Sequence, residues 1–435
     1  MEKPSNLGAK QTKLLAMSQT LCSDCLERQG SNATDSRKLG VDPSSCSLCH
    51  GASERVGQII DQALHALSDF EFDTFLVGAS LPQVVLDAED EIRARFKIRG
   101  REGIKTQTTR RIARKIAHVL SKQIEYSRPD ITLLASLVDG SVSAIPRSVW
   151  VSGAYTKSER GLPQRSSICR ICNGIGCAIC NYKGTTAQSV ESILSSYLKE
   201  VFIAESCNFI WIGSEDSRSI VGGNGRLFYA ELVSPKKRNL TPNTGSPKRL
   251  EGKKRKKVEL GPVSLLNLEI LGSRPKSIPQ FCVKCIVYLI ESLSEGESRK
   301  IDSEAIERFH DTTVQVHLSR KYRITTRNIY SAMVKRDVSS HPFALELVCD
   351  GGIPIRKFVT GEGGTVVPNL SNSIKGFMID PDQPFDILDV EIIPSRQEGF
   401  HVVSHRRNRT RRKKTSSEFN SQSEDISSQE LVLEN

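Results

Sequence analysis

Ten of the twelve cysteines stand in pairs with two residues between them: Cys22/Cys25, Cys46/Cys49, Cys169/Cys172, Cys177/Cys180 and Cys282/Cys285. Two such pairs place four thiolates on two tight turns, which can close a tetrahedral all-sulfur site of the kind zinc prefers. The first two pairs are 20 residues apart, near zinc-ribbon spacing. Only four residues separate the pairs of the second set, Cys169, Cys172, Cys177 and Cys180, where Gly174 and Gly176 allow the chain to reverse. Four thiolates complete the tetrahedron without His50, so each ion is expected to be structural; an iron–sulfur cluster is the alternative for the same ligands. Cys282 and Cys285 have no partner pair and enter the apolar run CIVYLI. They read as core cysteines.

A second chemical candidate is the segment Phe209-Ile-Trp-Ile-Gly-Ser-Glu-Asp216. A hydrophobic strand ends at Gly213 and an acidic loop follows, and an aspartate on a loop just beyond a strand is well placed to meet a substrate. Gly222-Gly223-Asn224-Gly225 reads as a hairpin turn between Ile220 and Phe228 rather than a phosphate loop. No Walker A, HExxH or GxSxG motif is present. The pair His401/His405 lacks a glutamate and borders a basic run, so it reads as solvated.

The elements that must carry these groups divide into five parts. They comprise 1–60 with the first cysteine set; 61–165, a mixed α+β region; 166–184, the second set; 185–400, a larger α/β region; and 401–435, a tail. Gly57 to Phe70, across the boundary of the first two parts, and Thr108 to Gln123 read as amphipathic helices, the second basic, with Ile112, Ile116, Val119 and Leu120 inward. Phe72 to Ala79, Ile131 to Val138 and Val142 to Val151 read as strands, the last two joined at Asp139-Gly140. A stretch at 234–257 with ten lysines and arginines reads as a disordered basic insert, and 401–435 as a disordered tail in which seven of the nine residues 406–414 are basic. At 435 residues, 38% apolar and 26% charged, the chain should fold into several domains. The excess of 61 basic over 50 acidic residues, +11, favours an anionic partner. No apolar run reaches membrane-span length, and the polar N-terminus reads as no secretory signal. A reducing compartment, where such cysteines bind metal, is therefore expected.

In chain order these pieces resemble the archaeal and eukaryotic THUMP-containing tRNA pseudouridine synthases that act at positions 54 and 55 of the TΨC loop. The cysteine pairs at 22–49 match that family's N-terminal zinc knuckles. Phe72-Asp-Thr-Phe-Leu-Val-Gly78 with Leu81-Pro82, Arg128-Pro-Asp130, and Gly153-Ala-Tyr155-Thr-Lys157-Ser-Glu-Arg160-Gly-Leu-Pro-Gln164 look like its FDSFLVG…LP, RPD and GRYxKxxRGIPQ segments. Cys169 to Gly184 is similar to an archaeal cysteine insertion. Gly213-Ser-Glu-Asp216 aligns with GRED, Gly223 to Phe228 with GxGRPF, Gly352 to Gly364 with GTYIKEFVHGDxG, and Leu388-Asp-Val390 with the closing LDV strand.

The resemblance implies a zinc-bearing THUMP-type half and a mixed-sheet catalytic half. It implies isomerisation of uridine to pseudouridine, with Asp216 catalytic, Arg356 its cationic partner, Tyr288 the base contact, and no cofactor for catalysis. Arg110, Arg111, Arg114 and Lys115 on the basic helix are the expected tRNA grip. No membrane and no obligatory protein partner are expected, and the location is cytoplasmic, or nuclear if the cell is eukaryotic. The chain departs from the pattern at Ser214, Pro354 and Thr365, and the base-contact tyrosine falls on Ile286 in strict register, with Tyr288 two residues on. These departures support a second reading, a tRNA-binding protein of the same fold with weakened or lost chemistry.

Overall fold

The computed structural model describes residues 7–392 apart from 181, 183, 186–187, 216, 241–247, 251–262, 277–278, 291–302, 319–322, 335–341, 375–377, 380–382 and 384. The expected catalytic Asp216 and the 401–435 tail lie outside the described residues.

Three short helices open the chain: α1 (Ala9–Ser18), α2 (Ser23–Arg28) and α3 (Ala33–Leu39). Asn32 caps α3 by accepting a hydrogen bond from the Asp35 amide at 2.8 Å. Next come α4 (Ala52–Leu67), β1 (Thr74–Ser80), α5 (Gln83–Phe96), α6 (Ile104–Leu120), β2 (Gln123–Ile124), β3 (Ile131–Ser136) and β4 (Val142–Pro146). Val56, Ile59, Ala63 and Leu67 form the buried stripe of α4, at spacings of three and four. On α6, Ile112 and Ile116 are fully buried as expected, but Val119, on the same face, is 48% exposed, because it falls in the last turn of the helix, which the core covers only in part. The strands form a four-stranded sheet ordered β2-β1-β3-β4, with β1 parallel to both β2 and β3, and β4 antiparallel. One hydrophobic core joins the helices, this sheet and the four cysteines at 22–49.

The expected strand Val142 to Val151 is two strands in two sheets. It breaks after Pro146, and the Arg147 amide leaves the ladder to donate to the Asp130 carbonyl at 2.8 Å. The second piece, β5 (Val149–Lys157), enters an eleven-stranded sheet. That sheet also holds β6 (Ser206–Trp211), β7 (Val221–Val233), β8 (Lys248–Leu250), β9 (Val263–Leu271) and β10 (Phe281–Val287). The helix α7 (Val190–Phe202) precedes β6, capped by Ser189. Beyond β10 come β11 (Leu289–Ile290), α8 (Ser303–Glu307), β12 (Thr312–Leu318), β13 (Arg323–Val334), β14 (Phe343–Cys349), α9 (Ile355–Thr360), β15 (Val366–Val367), α10 (Leu370–Ser373), β16 (Met378–Ile379) and β17 (Ile387–Ile392). The order is β15-β12-β13-β14-β10-β17-β7-β5-β9-β8, with β6 on β7; β11 and β16 pair separately. On β10, Phe281, Val283, Cys285 and Val287 alternate into the core, so Cys285 is the core cysteine expected and Cys282 is on the opposite face.

Two further expectations are corrected. Gly222 to Gly225 makes no hairpin turn; it lies within β7, which runs unbroken from Val221. A Cβ at Gly225, whose φ is +77°, would lie 2.7 Å from the Tyr155 carbonyl, so glycine is needed there for β7 to approach β5. The basic insert is not disordered throughout. At its start, the Lys236 carbonyl accepts from the Glu71 amide at 2.7 Å, and Arg238 donates to the Arg147 carbonyl at 2.7 Å. Near its middle, β8 pairs antiparallel with β9. The backbone groups that sheet and turn partners satisfy here hold a segment that composition alone marks as a linker.

Candidate active-site loop and metal centres

Residues 212–220 connect β6 to β7, and Asp216 falls within them. Lys157, the last residue of β5, is fully buried and forms an ion pair of 3.0 Å with the equally buried Glu215. Its ammonium also donates to the Leu162 carbonyl at 2.9 Å and the Ser217 carbonyl at 3.4 Å. One side chain therefore holds both neighbours of Asp216 in the chain.

Arg226 of β7 is 2% exposed and donates to the Ser214 carbonyl at 2.8 Å. Its Nε and Nη1 find no hydrogen-bond acceptor among the described residues. The guanidinium lies so close to Gly213, φ +84°, that a Cβ there would sit 2.3 Å from Nη2. Burial, reinforced by the Glu215 carboxylate, holds the Tyr155 phenol well above its ordinary value, and Gln164 donates to its oxygen at 3.1 Å. Two buried cations, Lys157 and Arg226, thus contact this loop, which supplies one buried carboxylate, an arrangement that favours a further negative charge nearby.

The far end of the loop is clamped by Arg160. Its guanidinium grips Asp386 with two bonds of 2.7 Å and also donates to the Arg218 carbonyl. The same Asp386 accepts from the Ile220 amide at 2.9 Å. Those bonds to Asp386 raise the Arg160 pKa above its ordinary value. Ile286 and Tyr288 both fall on the less buried face of the β10 segment, opposite Cys285 and Val287. Arg356 lies half-buried on α9, between Ile355 and residues Phe358 and Val359, which share one hydrophobic core with Ile212 at the start of the loop. Lys157, Glu215, Arg226 and Asp386 were not singled out by the sequence as site residues. The signal for Lys157 was its place at the end of a long strand in the GRYxKxxRGIPQ-like segment.

Each cysteine set converges. Every Sγ in a set lies within 4.8 Å of the others. In the first, Cys22 and Cys49 are 3.7 Å apart and Cys25 and Cys46 3.6 Å. In the second, Cys169 and Cys177 are 3.9 Å apart and Cys172 and Cys180 3.8 Å. A tetrahedron with metal–sulfur bonds of about 2.3 Å has edges of about 3.8 Å, so both sets fit one metal ion. Donors surround the sulfurs: the Cys22 amide reaches Cys46 Sγ at 3.3 Å, the Gly176 amide Cys172 Sγ at 3.2 Å, and the Cys177 and Gly184 amides Cys180 Sγ at 3.2 and 3.3 Å. The backbone amides lower the Cys180 thiol to about 6. Arg28 donates to Cys25 Sγ at 2.8 Å and also pairs with buried Glu89, which accepts from the Ile104 amide opening α6 at 2.8 Å. The first cysteine set is thereby wired to the basic helix.

On α6, Arg110, Arg111, Arg114 and Lys115 line one shallow pocket with Gln107, His118 and Glu102. Arg110 pairs with Glu102, and Arg111 with Asp24 at 3.3 Å. No helix among the described residues is long and apolar enough to cross a membrane.

The loop between β6 and β7 of a large mixed sheet, with Glu215 and Ser217 held by buried Lys157, together with a smaller four-stranded sheet and two converging cysteine sets, defines a two-part protein of the RNA-modifying kind the sequence resembles. The family model described as Pus10, C-terminal, matches residues 150–393, and the archaeal Pus10 THUMP domain matches 59–136. A protein from Cenarchaeum symbiosum named tRNA pseudouridine synthase Pus10 is 32% identical over 335 residues, 76% of this chain and 77% of its own length. Relatives of the same name from Nitrosopumilus maritimus and Pyrococcus furiosus are 27% and 25% identical, covering 86% and 87% of this chain and 95% and 96% of their own. The chain belongs to the Pus10 family of pseudouridine synthases, enzymes of the isomerase class.

Proposed function

We propose that this chain isomerises uridine to pseudouridine in the TΨC loop of tRNA, at position 54, position 55 or both. The observation that most supports this is the fully buried Lys157–Glu215 pair, whose contacts fall on the residues either side of Asp216. Buried charge is costly, and its placement around one loop aspartate is what a reaction needing a fixed carboxylate requires. In the reaction the N1–C1′ bond breaks, the uracil turns, C5 bonds to C1′, the C5 proton leaves to solvent and N1 takes one up. Asp216 acts on the nucleotide, Arg356 keeps its carboxylate ionised, and Tyr288 supports the base that must leave its stack. The face of α6 carrying Arg114 and Lys115 grips phosphates of the tRNA. Both cysteine sets hold structural zinc, and the protein works in the cytoplasm, or in the nucleus of a cell that has one.

The test is tritium release from tRNA labelled at uracil C5. Release is expected from the unmodified transcript and lost when both positions are cytidine. Unchanged release from the substituted transcript would overturn the site assignment. Binding without release would favour the second reading, which the substitutions Ser214 and Pro354 support.

Two further outcomes follow from the same assignments. Arg356→Met removes the cation beside a carboxylate that must stay ionised. The carboxylate pKa then rises, so the acid limb of the pH–rate profile should move up by about 1–3 units; an unmoved limb would show that Arg356 does not serve Asp216. Cys46→Ser should leave one zinc per chain instead of two and lower the melting temperature by roughly 10 °C, since binding energy at a closed site is folding energy. Metal analysis finding two zinc ions in that variant would contradict the ligand set.

A further inference from the structure

The second cysteine knuckle carries more apolar surface than its architecture needs. Ile168, Ile171, Ile175, Ile179 and Tyr182 are 65–90% exposed within 15 residues. The four sulfurs hold this segment together, so these side chains make no core. Soluble proteins rarely leave such a cluster uncovered without a partner for it.

The partner's chemistry is indicated by charge and position. Between Glu159 and Glu191 the sequence has no acidic residue, while Arg165 and Arg170, both exposed, are basic. An apolar face in a positively charged surround suits a polyanion that offers apolar faces, which is what unstacked nucleobases on a phosphate backbone present.

The knuckle also springs directly from the active-site loop. The Gly161 amide donates to the Ser217 carbonyl at 2.8 Å, and Gln164 donates to the Gly213 carbonyl at 3.4 Å, so its stem touches both flanks of Asp216. The neck is closed by Ser166 Oγ against Ser189 Oγ at 2.8 Å, the Val190 amide on the Pro163 carbonyl at 2.9 Å, and the Cys169 amide on the Gly184 carbonyl at 2.7 Å. Ile168 is four residues past Gln164, a chain reach of at most about 14 Å.

We infer that the isoleucine and tyrosine face of this knuckle binds unpaired nucleobases of the tRNA loop beside the target uridine. It holds the neighbours apart from the stack while the target occupies the pocket. Apolar side chains inserted between bases offset part of the unstacking cost, which every enzyme that extrudes a base must meet. The inference rests on the tRNA reading proposed above.

The experiment compares the zinc-loaded full chain with Ile171→Ser/Ile175→Ser, both sites being exposed enough for folding and zinc content to stay unchanged. Binding is measured against an unmodified tRNA transcript and a fully paired RNA hairpin, across a salt series. The double variant should bind the tRNA roughly tenfold more weakly, bind the hairpin equally, and keep the wild-type salt slope, because a base contact is lost and no phosphate contact. Unchanged tRNA affinity, or a loss equal for both RNAs, would overturn the inference. So would a variant altered only in self-association, which would mark the face as a protein contact. Wild-type turnover on the transcript separates the cases: with turnover intact, a failed binding prediction removes the knuckle's role alone. A wild type that neither binds nor turns over tRNA removes the underlying reading as well.

Discussion

Asp216→Asn should abolish tritium release from C5-labelled tRNA, lowering the rate by about 10⁴-fold or more, as removal of a reacting group does. The change is isosteric and on a loop, so the affinity for tRNA should move less than about threefold, and so should the zinc content. This split between chemistry and binding is the informative part. An amide at this position cannot carry the charge that the proposed reaction requires. Retained activity would mean that the alignment of Gly213-Ser-Glu-Asp216 with GRED is displaced and that the reacting group lies elsewhere.

Lys157→Met should be the most destabilising single change in the catalytic half. It leaves the Glu215 carboxylate without its 3.0 Å partner in a site with no solvent exposure, a defect that typically costs about 3–5 kcal/mol. At the lower end of that range, about 3 kcal/mol, the melting temperature should fall by roughly 10 °C. The double variant Lys157→Met/Glu215→Leu removes both charges and should recover most of that stability, since an apolar pair of similar volume is often as stable as a buried ion pair. It should not recover activity. The Ser217 carbonyl and the Glu215 side chain would no longer be tethered, and a displacement of about 1 Å at Asp216 costs about 10²-fold in rate. A double variant that is stable and fully active would show that the pair braces the fold and nothing more.

How far the sequence reached can be judged from particular residues. The two cysteine sets were legible because spacing alone brings CxxC pairs into reach of one ion, and the structure closes both within 4.8 Å. The strands β1 and β3 were legible from alternation. The division of Val142–Val151 between two sheets was not, because strand-forming residues stand on both sides of Pro146-Arg147-Ser148; what separates the pieces is the bond from the Arg147 amide to the carbonyl of Asp130, a residue 17 positions earlier. Gly222–Gly225 looked like a turn because glycine marks turns. Here glycine instead leaves room for the Tyr155 carbonyl, from which a Cβ at Gly225 would lie only 2.7 Å, a tertiary demand that local sequence does not announce. Lys157 was missed for a similar reason. A lysine at a strand end is ordinarily solvated, and only the fold reveals that its ammonium reaches Glu215, 58 residues on. The exposure of the knuckle isoleucines was not legible, since nothing in a short sequence says whether an apolar residue faces inward.

The central claim is that this chain converts uridine to pseudouridine in the TΨC loop. The most direct measurement is nucleotide-resolved mass-spectrometric mapping of pseudouridine across an unmodified tRNA transcript incubated with the zinc-loaded protein. The expected result is new pseudouridine at position 54, position 55 or both, and at no other uridine. A transcript that emerges unmodified, although the protein binds it and carries both zinc ions, would contradict the claim and leave a tRNA-binding member of the Pus10 family that has lost its chemistry.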